Sequence, residues 1–205
     1  IDENKLIVCL DAGHGGKDNG SDYRLRYEKN DNLKITQAVA AYLADKEDVQ
    51  VIMTRSDDTF LSLEERTTFA NQNNADYFVS LHRNTGEGNG VETWIRSDAD
   101  DKAQALAQNI MDNLDAAGIS RNRGVKKGTQ KSESKDYYVN LHTNMPACIV
   151  ELGFMNSPTD NQLFDANIDS YAKAIGDAVL KTYEAYGKDG ADATESVEDV
   201  PGTEE

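Results

Sequence analysis

The feature that most constrains the fold is a set of short apolar runs separated by longer segments with helical periodicity. Three of the runs, 6–10, 77–81 and 147–150, are only four or five residues long. Short apolar runs favour buried strands, whereas longer segments with apolar residues at helical spacing favour amphipathic helices. Their alternation predicts an α/β fold, a single domain with a twisted, mostly parallel sheet of about six strands and helices on both faces.

The elements of this fold can be assigned along the chain. The predicted strands are 5–11, 49–54, 76–82, 90–96, 137–141 and 146–152, and the predicted helices are 31–46, 62–73, 99–117 and 168–186. Ser62 with Glu65 three residues later is the pattern of a capping box, which supports the helix start at 62. Ligands of such sheets bind beyond the carboxyl ends of the strands, so the residues that follow the strands are the first candidates for a site.

The charge of the chain is acidic and unevenly distributed. The net charge is −16, and residues 189–205 contribute −7 of it with no Lys or Arg, which leaves −9 for the rest. A small, polar and acidic segment cannot offset its ordering entropy by burial. We therefore expect a folded domain over 1–188 and a disordered acidic tail or linker over 189–205. We expect no nucleic-acid partner for so acidic a chain, and no run approaches the roughly 20 apolar residues of a membrane span.

Four residues at or near the predicted strand ends could carry chemistry. His14 follows the run 6–10, His82 ends the strand 76–82, Glu151 follows the run 147–150, and Glu28 lies in the polar stretch before the first helix. Two imidazoles and a carboxylate can hold a zinc ion with one position left open for water, whose pKa can then fall to about 7. A second carboxylate nearby can move protons during hydrolysis of an amide.

The motifs around these residues resemble one known family. "DAGHGG", a Glu followed by Lys29 and by Asn32-Leu33, "SLH-x-N" and "VELGFMN" occur in the order typical of zinc-dependent N-acetylmuramoyl-L-alanine amidases of the amidase-3 type. The resemblance runs from about Leu6 to about Tyr186. It implies that the motif residues His14, Glu28 and His82 bind one Zn²⁺ per chain and that Glu151 is the catalytic glutamate.

The resemblance also implies a substrate and a location. The expected reaction is hydrolysis of the amide bond between N-acetylmuramic acid and L-alanine in peptidoglycan, with 1–188 as the catalytic zinc amidase domain. We expect an extracytoplasmic location, in the cell wall or secreted, although this chain contains no signal segment. We expect a monomer that needs no activator protein, because the stretch 97–136 offers little room for a helix that plugs the site. Basic residues in that stretch could contact the acidic wall peptide or polymer.

Several other residues have a structural interpretation or an open one. Asp11 is a candidate acceptor for the free N–H of a ligand imidazole. The remaining residues are interpreted as buried thiols (Cys9 and Cys148), a packing aromatic (Trp94), structural ion-pair residues (Arg55 and Arg66) and a surface or loop histidine (His142).

Two alternatives to the amidase remain open. Arg83 follows His82 where the family more usually has a small residue. A cation there could bind the terminal carboxylate of a peptide, which would suit a carboxypeptidase-like zinc peptidase. A non-catalytic wall-binding domain with the same fold is the other alternative, but it would be expected to lack one of the four site residues.

Overall fold

The structure, a computed structural model, describes residues 1–188, so the predicted acidic tail 189–205 lies outside the described residues. The elements in chain order are β1 (Leu6–Ala12), β2 (Asp22–Tyr23), β3 (Arg26–Tyr27), α1 (Glu28–Ala44), β4 (Val49–Met53), α2 (Leu63–Gln72), β5 (Tyr77–Asn84), β6 (Val91–Ile95), α3 (Asp101–Ala116), β7 (Asn122–Lys127), α4 (Tyr138–His142), β8 (Ala147–Phe154), α5 (Pro158–Ala166) and α6 (Ile168–Tyr186).

The main sheet has six strands in the order β4-β1-β5-β8-β6-β7, and β2 pairs with β3 in a separate small hairpin. Every neighbouring pair in the main sheet is parallel except β6 with β8, which is antiparallel. The predicted class, a single α/β domain with a mostly parallel six-stranded sheet, is therefore confirmed. No helix among the described residues is both long and apolar enough to span a bilayer.

Both faces of the sheet are buried, which explains why the apolar runs do not alternate with polar residues. In β1, Val8 and Leu10 pack into a core beneath α1, α3 and α6. Ile7 and Cys9 point the other way, into a second core that includes Ala70 of α2 and residues of α4. Cys9 and Cys148 are free, fully buried thiols, as predicted.

Two segments fold differently from the prediction. Residues 137–141 were expected to be a strand, but Tyr138–His142 form the short helix α4. In that helix the amide of Asn140 donates to the carbonyl of Trp94, so the segment packs on β6 instead of extending the sheet. Five residues are too few for periodicity to separate a strand from one turn of helix. The sixth strand of the sheet is instead β7, in a polar, basic stretch that was expected to be a link.

Three boundaries near the site also differ. Helix α1 begins at Glu28, where the prediction was 31. Strands β5 and β8 continue past His82 and Glu151, to Asn84 and Phe154, through an irregular register. His82 and Glu151 therefore lie inside the carboxyl-terminal halves of their strands, and the predicted strand ends, 82 and 152, each fall two residues short. Helix α5, which follows β8, was not predicted.

Candidate active site

His14 lies in the loop directly after β1, with a left-handed backbone φ of 62°. Its Nδ1 donates to Oδ2 of Asp18 over 2.8 Å, and its Nε2 lies 3.3 Å from Oε2 of Glu28. Burial alone would lower the pKa of His14, but the hydrogen bonds and charges of Glu28 and Asp18 raise it to about 9. The two carboxylates therefore stabilise a positive charge at the ring, and Nε2, which faces Glu28, is where a proton or a metal ion would bind.

Glu28 is the first residue of α1 and is almost fully buried. Its carboxylate accepts the backbone N–H of Ser21 over 2.8 Å and of Arg83 over 3.2 Å, and the amide of Asn32 over 3.3 Å. Burial would raise its pKa, but the hydrogen bonds from His14 and His82 outweigh that effect and hold the pKa well below its usual range. The amino end of a helix also favours a negative charge, so Glu28 is held ionised.

His82 lies on β5 and faces the same carboxylate. Its Nδ1 is 3.0 Å from Oε1 of Glu28, and its Nε2 is 3.1 Å from Oγ of Ser80. The rings of His14 and His82 are 5.1 Å apart and nearly perpendicular. A side chain at Gly13 would have its Cβ 2.0 Å from the His82 ring, so only glycine lets the loop after β1 pass this close.

Three ligand-type side chains converge at this point. One ligand atom from each of His14, Glu28 and His82 lies within 4.8 Å of the other two. Within the described range 1–188, this is the one group of three or more His, Cys, Asp and Glu residues arranged to hold a metal ion. Two imidazole nitrogens and a carboxylate oxygen are a donor set that suits zinc.

Glu151 lies beside the three on β8, where its backbone pairs with His82 on one side and with Glu92 on the other. It is half-buried in the cleft floor, and its Oε2 is a buried oxygen without a hydrogen-bond partner among the described residues. Burial, followed by the charges of Glu28 and Glu92, raises its pKa well above the usual value. A carboxyl that holds its proton this strongly suits proton transfer.

Asp11 was predicted to accept a hydrogen bond from a ligand imidazole, but it contacts neither ring directly. Its carboxylate accepts hydrogen bonds from Oγ of Ser80 (2.6 Å), Oγ1 of Thr54 (2.6 Å) and Nη1 of Arg66 (2.8 Å). It therefore reaches His82 only through Ser80. Asp18, which the sequence analysis did not single out, is the direct acceptor of a site imidazole; its position four residues after His14 is the signal that could have revealed it.

The two arginines interpreted as structural hold the loop after β1. Arg66 pairs with Asp11 and donates to the carbonyls of Ala12 and His14. Arg55 donates to backbone carbonyls, including those of Ala12 and Gly13, and takes part in no ion pair within residues 1–188. The ion-pair prediction is therefore right for Arg66, whereas Arg55 acts through carbonyl groups.

Arg83 is buried and paired inside the domain. Its side chain has no exposed area, and its Nη1 lies 2.6 Å from Oδ2 of Asp31. It also donates to Oδ1 of Asn161, and its guanidinium stacks on the ring of Phe164. This charge is satisfied inside the domain and does not face a ligand.

The remaining candidates lie at the edges of the site. His142 is exposed at the end of α4 and stacks on Tyr138, as expected for a surface histidine. Trp94 is buried and donates from Nε1 to Glu92, as expected for a packing residue. The cleft above Glu151 has a volume of about 490 Å³, with an apolar wall that includes Phe60, Leu63 and Tyr138.

The fold and the cluster together define a class: an α/β domain with a candidate metal centre and a separate, unpaired carboxyl oxygen beside it. The family model described as N-acetylmuramoyl-L-alanine amidase matches residues 8–181. The chain therefore belongs to the amidase-3 family of N-acetylmuramoyl-L-alanine amidases and is an enzyme of that class.

Individual relatives agree with this assignment. The protein YqiI of Bacillus subtilis is 35% identical over 182 residues, which cover 87% of this chain and 84% of YqiI. The "Probable cell wall amidase LytH" of Staphylococcus epidermidis is 30% identical over 90% of this chain, which spans 59% of the length of LytH. Among solved structures, the N-acetylmuramoyl-L-alanine amidase of Clostridium difficile 630 superimposes with a TM-score of 0.83 at 34% identity, covering 90% of this chain and all of the other.

Proposed function

We propose that this domain is a zinc-dependent amidase that cuts the bond between N-acetylmuramic acid and L-alanine in peptidoglycan, with His14, Glu28 and His82 as ligands. The observation that carries the proposal is the convergence of these three side chains beside an unpaired, buried carboxylate oxygen of Glu151. A catalytic zinc site needs three protein ligands and an open position next to a general base, and the arrangement of these side chains in the cleft supports such a site.

The residues around the ligands fit a metal ion. Asp18 accepts from Nδ1 of His14, which leaves Nε2 free to bind, and Ser80 faces Nε2 of His82, which leaves Nδ1 free. Outer partners of this kind fix the tautomer and orientation of ligating imidazoles. When bound, zinc would polarise the amide carbonyl as a Lewis acid and lower the pKa of a water molecule.

Glu151 carries the proton transfers in this proposal. It takes a proton from the attacking water and delivers it to the leaving amine of L-alanine. Burial and the charges of Glu28 and Glu92 raise its pKa, which favours the protonated carboxyl that delivers the proton to the amine. Glu28, held ionised by its hydrogen bonds, cannot serve as that acid and is left as a ligand.

The carboxypeptidase-like alternative loses its support. It depended on Arg83 as a free cation for a terminal carboxylate, but Arg83 is buried and paired with Asp31. The non-catalytic alternative would be expected to lack a site residue, whereas His14, Glu28, His82 and Glu151 are all present.

The proposal extends to the location and the partners of the enzyme. Its substrate lies outside the cytoplasm, so the enzyme acts in the cell wall or as a secreted protein. Within 97–136, α3 packs against α6 and β7 extends the sheet, which favours an open cleft that works without an activator, and a monomer stays a prediction. Residues 1–188 contain every proposed site residue, so the acidic segment 189–205 is dispensable for catalysis.

A digestion experiment tests the reaction. The zinc-loaded chain, without any added protein, is incubated with purified peptidoglycan, and new termini are labelled. We expect new L-alanine amino termini and no new reducing sugar ends, because cutting a glycosidic bond normally needs a pair of carboxylates that act together on the sugar. The Glu151→Gln variant is the matched control. New reducing ends would refute the reaction, and dependence on an added protein would refute the open cleft.

A further inference from the structure

The segment 121–135 is basic in an otherwise acidic chain. It contains one acidic residue, Glu133, and six basic ones, in a chain of net charge −16: Arg121, Arg123, Lys126, Lys127, Lys131 and Lys135. An acidic protein repels an anionic ligand from a distance, so a local positive surface is where such a ligand would be captured. The sequence alone does not tell which face of the domain carries this charge.

The structure puts part of this charge on the face of the sheet that bears the active site. Lys126 of β7 is the direct neighbour of Trp94 on β6, and Trp94 is the neighbour of Ile149 on β8. Direct neighbours share a face, as do residues two apart on one strand, so Lys126 lies on the same face as Glu151. With Trp94, Lys127 and Lys131, it lines a groove of about 730 Å³, referred to below as the β7 groove.

The β7 groove is continuous with the catalytic cleft. Gln130 lines both, and its Nε2 lies 3.5 Å from Oδ1 of Asn84 at the end of β5. Tyr137 lines the cleft and packs edge-on against Trp94 of the groove, with 5.7 Å between ring centroids. A ligand that extends from Glu151 over Tyr137 would therefore enter the groove.

The lysines of the groove have no ion-pair partner among the described residues, and the turn that carries Lys131 is held by hydrogen bonds. Arg123 is paired with Glu92, but Lys126, Lys127 and Lys131 form no ion pair within residues 1–188. The turn that carries Lys131 is closed by backbone hydrogen bonds in both directions between Thr129 and Ser132. Glu133 is the one acidic residue that lines the groove, so the groove has a net positive charge, and its three lysines form no ion pair within residues 1–188.

We propose that the β7 groove binds the carboxylates of the substrate's peptide, so that the enzyme prefers an acidic peptide stem. This inference rests on the proposed function, which puts the L-alanine end of that stem at Glu151. In a wall peptide with γ-linked D-glutamate, a free α-carboxylate follows directly after L-alanine. The continuity of groove and cleft favours this peptide over a phosphate-bearing wall polymer, because the γ-linked D-glutamate is the residue next to L-alanine and so lies close to the bond in the cleft.

Trp94 allows a test that does not depend on catalysis, since it is the single tryptophan of the chain and lines the groove. The zinc-loaded full chain is titrated with the peptide L-alanyl-γ-D-glutamyl-L-lysine, and Trp94 fluorescence is recorded. The same titration uses the peptide with D-isoglutamine, which lacks the carboxylate. We expect saturable binding of the acidic peptide and an affinity for the amidated peptide that is roughly threefold to tenfold weaker, as for a few exposed charge contacts.

Two variants complete the test. Lys126→Gln/Lys131→Gln should weaken binding of the acidic peptide and remove the preference, whereas Lys34→Gln/Lys181→Gln removes two exposed charges outside the groove and should change neither affinity. Equal affinities for both peptides, no binding, or equal losses in both variants would overturn the proposal. If Lys126→Gln/Lys131→Gln weakened binding of a teichoic acid probe but not of the acidic peptide, the groove would be assigned to a phosphate polymer. That result would also overturn the proposal. Normal binding of the peptide by a chain that releases no L-alanine termini from peptidoglycan would count against the proposed function alone.

Discussion

Ser80 Oγ lies 3.1 Å from Nε2 of His82, on the side of the ring opposite Glu28. The same hydroxyl donates its only proton to Asp11 over 2.6 Å, so it must accept from His82. Nε2 of His82 therefore carries a hydrogen, and Nδ1 is the ring nitrogen left to bind a metal ion beside Glu28. One serine thus selects the tautomer that a metal ligand at this position needs.

This relationship predicts an effect of Ser80 on metal binding. Ser80→Ala removes the acceptor of His82 Nε2–H, and loss of such an outer partner typically costs 10- to 100-fold in metal affinity, so we expect a fall of about that size. Thr54→Val is the matched control, because Thr54 donates to the same Asp11 carboxylate but does not contact the imidazole. Competition with a chelating dye measures the zinc affinity. Equal losses in the two variants would mean that only the charge of Asp11 matters.

Substitutions of a proposed ligand and of the proposed acid-base residue should affect zinc content and turnover differently. His82→Ala should lose most of its zinc, because two remaining ligands do not make a catalytic site. Glu151→Gln should keep its zinc and lose at least about 100-fold in turnover, the lower end for removal of a general acid-base group. His142→Ala, which changes the exposed third histidine, is the control for both. Metal analysis and turnover of each purified variant decide the roles, and a Gln variant without metal would make Glu151 a ligand.

The sequence was sufficient to predict that these residues come together, because most of them are tied to strands. His14, His82 and Glu151 follow or end buried apolar runs, and the carboxyl halves of parallel strands meet at one edge of a sheet. Glu28 was harder, because α1 starts there without a side-chain cap. The backbone N–H groups of Glu28 and Lys29 bond instead to carbonyls of Ser21 and Asn19, and such contacts leave no pattern in the sequence.

Strand β7 and helix α4 could not be predicted from the sequence either, because tertiary contacts determine both. Strand β7 is basic and polar, and it has strand geometry because it pairs with β6 and because Arg123 bonds to the buried Glu92. Helix α4 is held by the contact of Asn140 with Trp94. Both assignments depend on tertiary partners, whereas periodicity reports only which side chains of a segment are apolar.

The cysteines should be unreactive in the native state. Burial raises the pKa of both Cys9 and Cys148, with a further contribution from Asp11 for Cys9. The thiolate is the reactive form, so a thiol reagent at pH 8 should modify neither residue until the domain unfolds, when both should react. Absorbance with a disulfide reagent, before and after addition of guanidinium, measures this. Lys34→Cys introduces an exposed thiol as a positive control, and rapid native labelling of the unmodified chain would contradict the prediction.

The buried pair of Asp11 and Arg66 should make stability depend on pH. Burial would raise the pKa of Asp11, but the charge of Arg66 and the hydrogen bonds from Ser80 and Thr54 outweigh it and lower the pKa. A carboxylate with a lowered folded-state pKa contributes stability above its unfolded value, about 3.9, and that contribution is lost as the pH falls toward the folded value.

Asp11→Asn should therefore destabilise the domain by about 3–5 kcal/mol at pH 7, the cost of leaving a buried charge on Arg66 without its partner. The difference from the unmodified chain should shrink as the pH falls below about 4, because the unmodified chain then loses the same contribution. Denaturant unfolding followed by circular dichroism at pH 7 and pH 3 measures both values. Asp98→Asn, which breaks the exposed pair with Arg96, should change stability little at either pH. A difference for Asp11→Asn that stays constant from pH 7 to pH 3 would show that its carboxylate is not held ionised by Arg66.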